Sequence, residues 1–308
     1  MSHSKDMYLA KPQSNITAAL LIASATAFIA ATMLIAKALG SDAFGPPLHA
    51  LQISHGRFLF AFLGISAAAL FLRPTIDRPH WGLHLARTSC GWVGVTLMFA
   101  SVAYIPLADA TAITFLNPVF AMILAIPLLG EKVGRIRWSA AALAFSGALI
   151  LLRPTPASFD PAALLAFGAA AIMGLELIFI KKLAGRENPF QILLFNNGLG
   201  LCIASIAMIP FWQPPTAMQW GLLVSIGLCM AIAQSFFVNG MARADASFVA
   251  PFSYGTLIFA ALYDVLFYNV LPDSVTYLGA GVIIAGAVML LLREAQLKRT
   301  VVDASTRQ

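Results

Sequence analysis

Acidic side chains are scarce in this chain. It has 13 Asp and Glu among 308 residues, and charged residues of both signs amount to 10%. A soluble domain carries about 25% charged residues, so a water-facing globule is excluded. Cysteine is also rare: Cys90, Cys202 and Cys229 fall inside apolar runs, with no C-x-x-C pair and no Cys/His cluster. That excludes the usual metal and redox centres, and no metal or cofactor is expected. No Walker motif is present to hold ATP, and no paired nucleophile and base stands at helical spacing, so an enzyme is not expected either. The 19 Lys and Arg give a net charge of +6, yet they lie between apolar runs rather than in a stripe interleaved with aromatics. Nucleic acid is therefore not the expected partner.

What the chain has in abundance is hydrocarbon, at 60% hydrophobic residues. Apolar runs of about 20 residues cross a bilayer as helices, whereas a transmembrane barrel would show alternating segments of about ten. The runs predict spans at 16–37, 48–72, 82–104, 107–129 and 136–153, then 160–182, 190–212, 217–240, 246–270 and 275–293. The sequence "AKA" at 36–38 looks like a signal cleavage site, but the run before it exceeds the 7–15 residues of a signal core, so the first span is read as a retained helix. Basic residues cluster at one side: Lys5, Lys11, Arg73, Arg78, Lys132, Arg135, Arg137, Lys181, Lys182, Arg186, Arg243 and Arg293. Cytoplasmic loops retain such residues, which predicts a cytoplasmic (inner) membrane protein with both termini cytoplasmic.

The first span is written twice. "AALLIASATAFIAATMLIAKAL" at 18–39 returns as "AALLAFGAAAIMGLELIFIKKL" at 162–183, with eight of 22 residues identical. "PLHALQISHG" at Pro47 parallels "PFQILLFNNG" at Pro189, "LADAT" at Leu107 parallels "RADAS" at Arg243, and "WSAAALAFSGA" at Trp138 parallels "YLGAGVIIAGA" at Tyr277. Five spans thus match five. An odd number of crossings inverts the second copy, so the fold class expected is an all-α membrane protein of ten transmembrane helices in two inverted five-helix repeats. The units are a tail at 1–15, repeats at 16–154 and 160–293, and a second cytoplasmic tail at 294–308.

The stretch "YIPLADATAITFLNPVFAMILAIPLLGEKVG", Tyr104 to Gly134, resembles the signature of the EamA branch of the drug/metabolite transporter superfamily, and the likeness continues through "ARADASFVAPFSY" in the second half. Where such proteins repeat "GE" in the second half, this chain has "FYNVLPD" at 267–273. The resemblance implies a ten-helix secondary carrier in which helices five and ten are peripheral and the others surround a small-molecule substrate.

Ionisable groups inside spans are costly and mark function by default. Arg57 lies about 13 Å into its span at 1.5 Å per residue and reads either as an anchor for a carboxylate or phosphate or as a structural ion pair. His55, two residues earlier and on a different face, reads as a proton relay or a hydrogen-bonded structural group. Glu176 stands where the first copy has Thr32, and its five-residue spacing to Lys181 disfavours a local pair. It reads as a coupling group for protons or as a partner for a substrate ammonium. Asp109 and Asp245 read as helix caps, and Pro118 and Pro251 as kinks. Trp92, Asn117, Asn197, Gln234, Tyr254 and Tyr263 complete the candidate substrate-binding set, with helix–helix glue as the alternative for each polar residue. The small residues Ala142, Ser146, Gly281 and Ala285 read as close packing or a homodimer surface. The functional expectation is an alternating-access exporter of a small, amino-acid-like metabolite, driven by protons or by the substrate's own gradient. Uptake of an aromatic vitamin such as riboflavin is the alternative, and a non-transporting membrane scaffold is a third reading.

Overall fold

A computed structural model describes residues 14–102, 113–152, 161, 163–268 and 273–305, and all regular structure among them is helical. The first half contains α1 (Asn15–Leu39), α2 (Ala50–Leu72), α3 (Trp81–Val102), α4 (Asn117–Leu129) and α5 (Arg135–Leu152). The second contains α6 (Ala163–Ala184), α7 (Pro189–Met208), α8 (Ala217–Met241), α9 (Gly255–Tyr268) and α10 (Ser274–Ser305). Six stretches of the described residues are long and apolar enough to cross a membrane: α1, α2, α6, α8, Pro189–Phe211 and Ala246–Phe267. Helices are the physical answer in hydrocarbon, where each backbone N–H and C=O must find its partner inside the segment. Large apolar side chains such as Leu70, Phe71, Leu164 and Ile206 face outward, as they do toward lipid.

The packing pattern maps onto itself when the halves are exchanged. α1 packs along α8, and α3 along α6; α1 meets α9, and α6 meets α4; α2 packs on α7, and α5 on α10. Each contact therefore joins one half to the other. The α5–α10 seam shows the pseudo-symmetry atom by atom. A Cβ built on Gly147 would stand 2.7 Å from the Gly279 carbonyl oxygen and 2.8 Å from the Ile283 nitrogen. One on Gly286 would stand 2.9 Å from the Ala140 oxygen and 3.1 Å from the Ala144 nitrogen. These are corresponding positions of the paralleled segments "WSAAALAFSGA" and "YLGAGVIIAGA". Two backbones approach this closely only where both copies keep glycine.

Four expectations change. Ala142, Ser146, Gly281 and Ala285 are exposed and form no part of that seam, which is made instead by Ala140, Ala144, Gly147, Ile283 and Gly286. Helical phase decides which small residues face inward, and composition alone does not carry it. The expected continuous span 246–270 is broken: an α-turn at Ala246–Val249 passes into a 3₁₀ turn at Ala250–Tyr254 before α9. Pro251 lacks the N–H that would have continued the first turn. α10 runs on to Ser305, beyond the boundary drawn at 293, because "REAQLKRTVVDAS" contains no helix breaker. Pro118 is not a kink inside a run: after helical residues 113–114 and a turn at 115–116 it falls in the first turn of α4, where a missing N–H costs nothing; 103–112, including Asp109, lie outside the described residues.

The inverted-repeat topology makes a direct prediction. Reporters fused after Arg186 and at the C-terminus should be cytoplasmic and one near Pro215 external; Arg186 and Pro215 on the same side would break the arrangement.

Candidate functional site

α6 carries Glu176 into the contact with α3, and the α3 residue beneath its carboxylate is Gly91. A Cβ at Gly91 would lie 3.1 to 3.2 Å from the Glu176 carboxyl atoms, so a side chain there would crowd the acid. Arg87 sits one turn earlier on α3, rotated by about 40° and hence on the same face. It is 3% exposed, and its Nε and Nη1 have no hydrogen-bond partner. α2 contributes Arg57, half-buried, with its guanidinium carbon 3.9 Å from the centre of the Phe58 ring. The Glu176 charge acts on both Arg87 and Arg57, although no direct ion pair joins the three. One buried and one half-buried cation thus share one half-buried anion.

α3, α7 and α8 carry further polar groups between the halves. Asn197 on α7 is fully buried; its Nδ2 donates to Gln234 Oε1 on α8 (2.8 Å) and to the Leu193 carbonyl (2.8 Å), while its Oδ1 has no partner. Thr88 Oγ1 donates to Asn196 Oδ1 at 3.4 Å, and the Trp92 Nε1 is buried without a partner. Asn117 starts α4, where its carbonyl packs on Gly174, two residues from Glu176. The sequence-predicted Arg57, Glu176, Trp92, Asn197 and Gln234 therefore lie on the helices that meet between the halves. Arg87, Thr88 and Gly91 were not foreseen.

Other candidates serve elsewhere. Tyr254 is wholly buried between α5 and α9, stacks on Phe115 and donates to its carbonyl at 2.9 Å, so its hydroxyl is committed to packing. Tyr263 donates to the Ala27 carbonyl at 3.2 Å and ties α9 to α1. His55 has no hydrogen bond among the described residues and no charged neighbour acting on it. Lys181 reaches the carbonyls of Met241, at 2.7 Å, and Ala244, sealing the C-terminus of α8 rather than pairing with Glu176. Asp245 does not cap with its side chain. It pairs with Arg137 at 2.9 Å, and Glu131 caps in its place, accepting from the N–H groups of Ala246 (2.8 Å) and Ser247 (3.0 Å) and from the Ser247 hydroxyl (2.6 Å). The "LGE" motif thereby acquires a physical meaning: Gly130, at φ 69°, ends α4 in the left-handed region, and the acid beyond it anchors the broken helix of the other half.

Both ends of the bundle are tied between halves. At the end that the charge bias assigns to the cytoplasm, Glu187 accepts from the His80 N–H (2.7 Å) and meets the His80 and His84 rings at 2.9 and 2.8 Å, while Gln191 accepts from the Asp77 N–H. Burial pushes the Glu187 carboxyl up, but the hydrogen bonds from the His80 N–H and from the two rings outweigh it and hold the acid below the ordinary carboxylate range. A group held low contributes stability that is present above about pH 4.3 and is lost as pH falls through its own lower value, so this tie holds at neutral pH. At the opposite end Gln52 exchanges two hydrogen bonds with the Gln213 backbone (2.6 and 3.1 Å), Gln219 donates to the Pro46 carbonyl, and His49 stacks on Phe211. One tie is built on a carboxylate between two histidines, the other on glutamine amides, backbone and the His49–Phe211 stack.

The EamA-like transporter family model matches residues 16–153 and again 160–292. The chain belongs to that family. It is 31% identical over 232 residues to a riboflavin transporter of Vibrio cholerae serotype O1, covering 75% of this chain and 78% of that one. It is 25% identical to an S-adenosylmethionine uptake transporter of Rickettsia bellii (82% and 88% covered) and 28% identical to the pseudopaline exporter CntI of Pseudomonas aeruginosa (70% and 74%). A protein of known crystal structure superposes with a TM-score of 0.78 at 20% identity, over 91% of this chain and 98% of that one, and shows the same fold. The protein is thus a multi-pass membrane transporter of small molecules built from two EamA repeats.

The Gly91–Glu176 contact generates a test. Gly91→Ala should lower transport by about ten- to a hundredfold by displacing the carboxylate, and the shorter acid of Glu176→Asp should restore much of it in the double variant. An alanine variant with wild-type flux would remove Gly91 and Glu176 from the site.

Proposed function

We propose that the chain takes up a small heterocyclic metabolite with polar substituents, of the riboflavin type, across the cytoplasmic membrane by alternating access. Buried polar groups without partners, Trp92 Nε1 on α3 and Asn197 Oδ1 on α7, support a polar ligand between the halves, since such atoms are costly unless something completes them. The 31% identity to a riboflavin transporter supports the flat heterocycle. Export of an amino-acid-like metabolite is the second reading, supported by the likeness to the pseudopaline exporter. In either direction the ties at the two ends serve as gates that open in turn, and Glu176 takes up and releases a proton as the site changes sides.

Proteoliposomes test this directly. The wild type should concentrate riboflavin under an imposed pH gradient. Glu176→Gln keeps the shape and removes the titration, so it should abolish accumulation while leaving exchange between equal substrate pools measurable. Accumulation by the Gln variant at the wild-type rate would exclude Glu176 as the coupling group, and absence of riboflavin flux in both would exclude the flavin reading.

A further inference from the structure

The charges buried between the halves do not balance. Among the described residues, Arg57 on α2 and Arg87 on α3 bring two guanidiniums within electrostatic reach of the one carboxylate, Glu176 on α6. A guanidinium stays ionised under all ordinary conditions, so the imbalance cannot be relieved by proton loss from the arginines. Arg87 is the more informative of the two. It is buried more deeply than Arg57, its Nε and Nη1 find no acceptor, and no direct ion pair fixes it. Nε and Nη1 stand on different edges of the guanidinium, so each is a separate buried N–H donor that an anionic oxygen would satisfy by a charge-assisted hydrogen bond. Among the described residues whose side chains are placed, no second anion is shown to act on the cluster. Glu187 is committed to His80 and His84, Glu131 to the turn at Ala246 and Asp245 to Arg137, all near the ends of the bundle.

We infer that the transported compound carries an anionic group, a carboxylate or a phosphate monoester, that accepts from the unpartnered N–H groups of Arg87 and completes the charge of the Arg57–Arg87–Glu176 cluster. This deepens the carrier reading above and rests on it. Glu176 then has a second task besides coupling: as the resident anion it competes with the substrate for the arginines, so its loss favours the bound anion. Arg87 and Glu176 therefore act with opposite signs on the same binding step, which residues that merely hold helices together would not do.

The test uses the full-length protein in detergent, with thermal stabilisation as the readout and small aryl probes that do not presuppose a flavin. Benzoate and phenyl phosphate should stabilise the wild type at millimolar concentration, and benzyl alcohol at the same concentration should not. Arg87→Gln should weaken both anions by more than about tenfold, Glu176→Gln should strengthen them, and Arg87→Lys should recover only part of the phosphate effect, since lysine is a point charge without the fork. If Arg87→Gln fails to fold, the sign of the Glu176→Gln effect and the Arg87→Lys variant still decide. Benzoate alone would assign a carboxylate substrate, and phenyl phosphate alone a phosphorylated one. Equal stabilisation by benzyl alcohol, or a loss of anion binding in Glu176→Gln as large as that in Arg87→Gln, overturns the inference. The flavin reading is scored apart from this by comparing riboflavin with riboflavin 5′-phosphate. Preference for the phosphate supports both, equal binding of the two overturns the anion site alone, and binding of neither beside intact aryl-anion binding overturns the flavin alone.

Discussion

One carboxylate and two guanidiniums held between packed helices set the terms for the rest of this molecule. In a low-dielectric interior such charges are not tolerated for their own sake, because desolvating each costs several kcal/mol before any pairing is counted. The fold answers with close approach and surrounding dipoles. Gly91 leaves room for the Glu176 carboxylate against α3, Phe58 lies beneath the Arg57 guanidinium, and Thr88, Asn196, Asn197 and Gln234 turn amide and hydroxyl groups into the same region. The remaining positive charge is what the proposed anionic substrate would neutralise, and the proposed alternation of the halves would let that ligand come and go.

The two repeats form a near-symmetric frame, and the chemistry enters where symmetry fails. The α5–α10 seam is symmetric down to corresponding glycines, as befits a peripheral scaffold. Inside, Thr32 donates to the Ile29 carbonyl of its own helix at 2.7 Å, whereas its counterpart Glu176 reaches a neighbouring helix. Glu131 of the first half caps the broken helix of the second, and the end ties differ in kind, histidines with a carboxylate at one end and neutral amides with backbone at the other. If the two ties are the proposed gates, their unlike chemistry lets them respond differently to the same change in solution.

Much of this was legible in the sequence, and what was not has identifiable reasons. Span positions and the repeat follow from apolar periodicity and self-similarity, and Glu176 stood out because its counterpart is Thr32. Asn197 and Gln234 could be named because polar residues in apolar runs are few. Arg87 escaped notice because it sits near the start of its span, in "HLARTSCGW", where a basic residue reads as a helix-end group; its burial depends on α6 and α7 arriving from the other half. Tyr254 misled in the opposite sense. Its aromatic ring and hydroxyl suit a ligand equally well, and only the placement of the Phe115 carbonyl shows that the chain itself uses them. Asp245 has the residue type of a cap, yet Arg137 stands closer to its carboxylate than any free N–H.

The most direct test of the central claim asks whether the charged cluster is reached from both sides of the membrane. Thr88, buried one residue beyond Arg87, can be changed to Cys in a chain whose Cys90, Cys202 and Cys229 are replaced by Ser, and the labelling rate by a membrane-impermeant thiol reagent followed from each side in turn. A site that alternates between faces predicts labelling from either side, slowed by transported substrate from both. Labelling from one side only, unchanged by substrate, would show that the Arg57–Arg87–Glu176 cluster lies off the transport path.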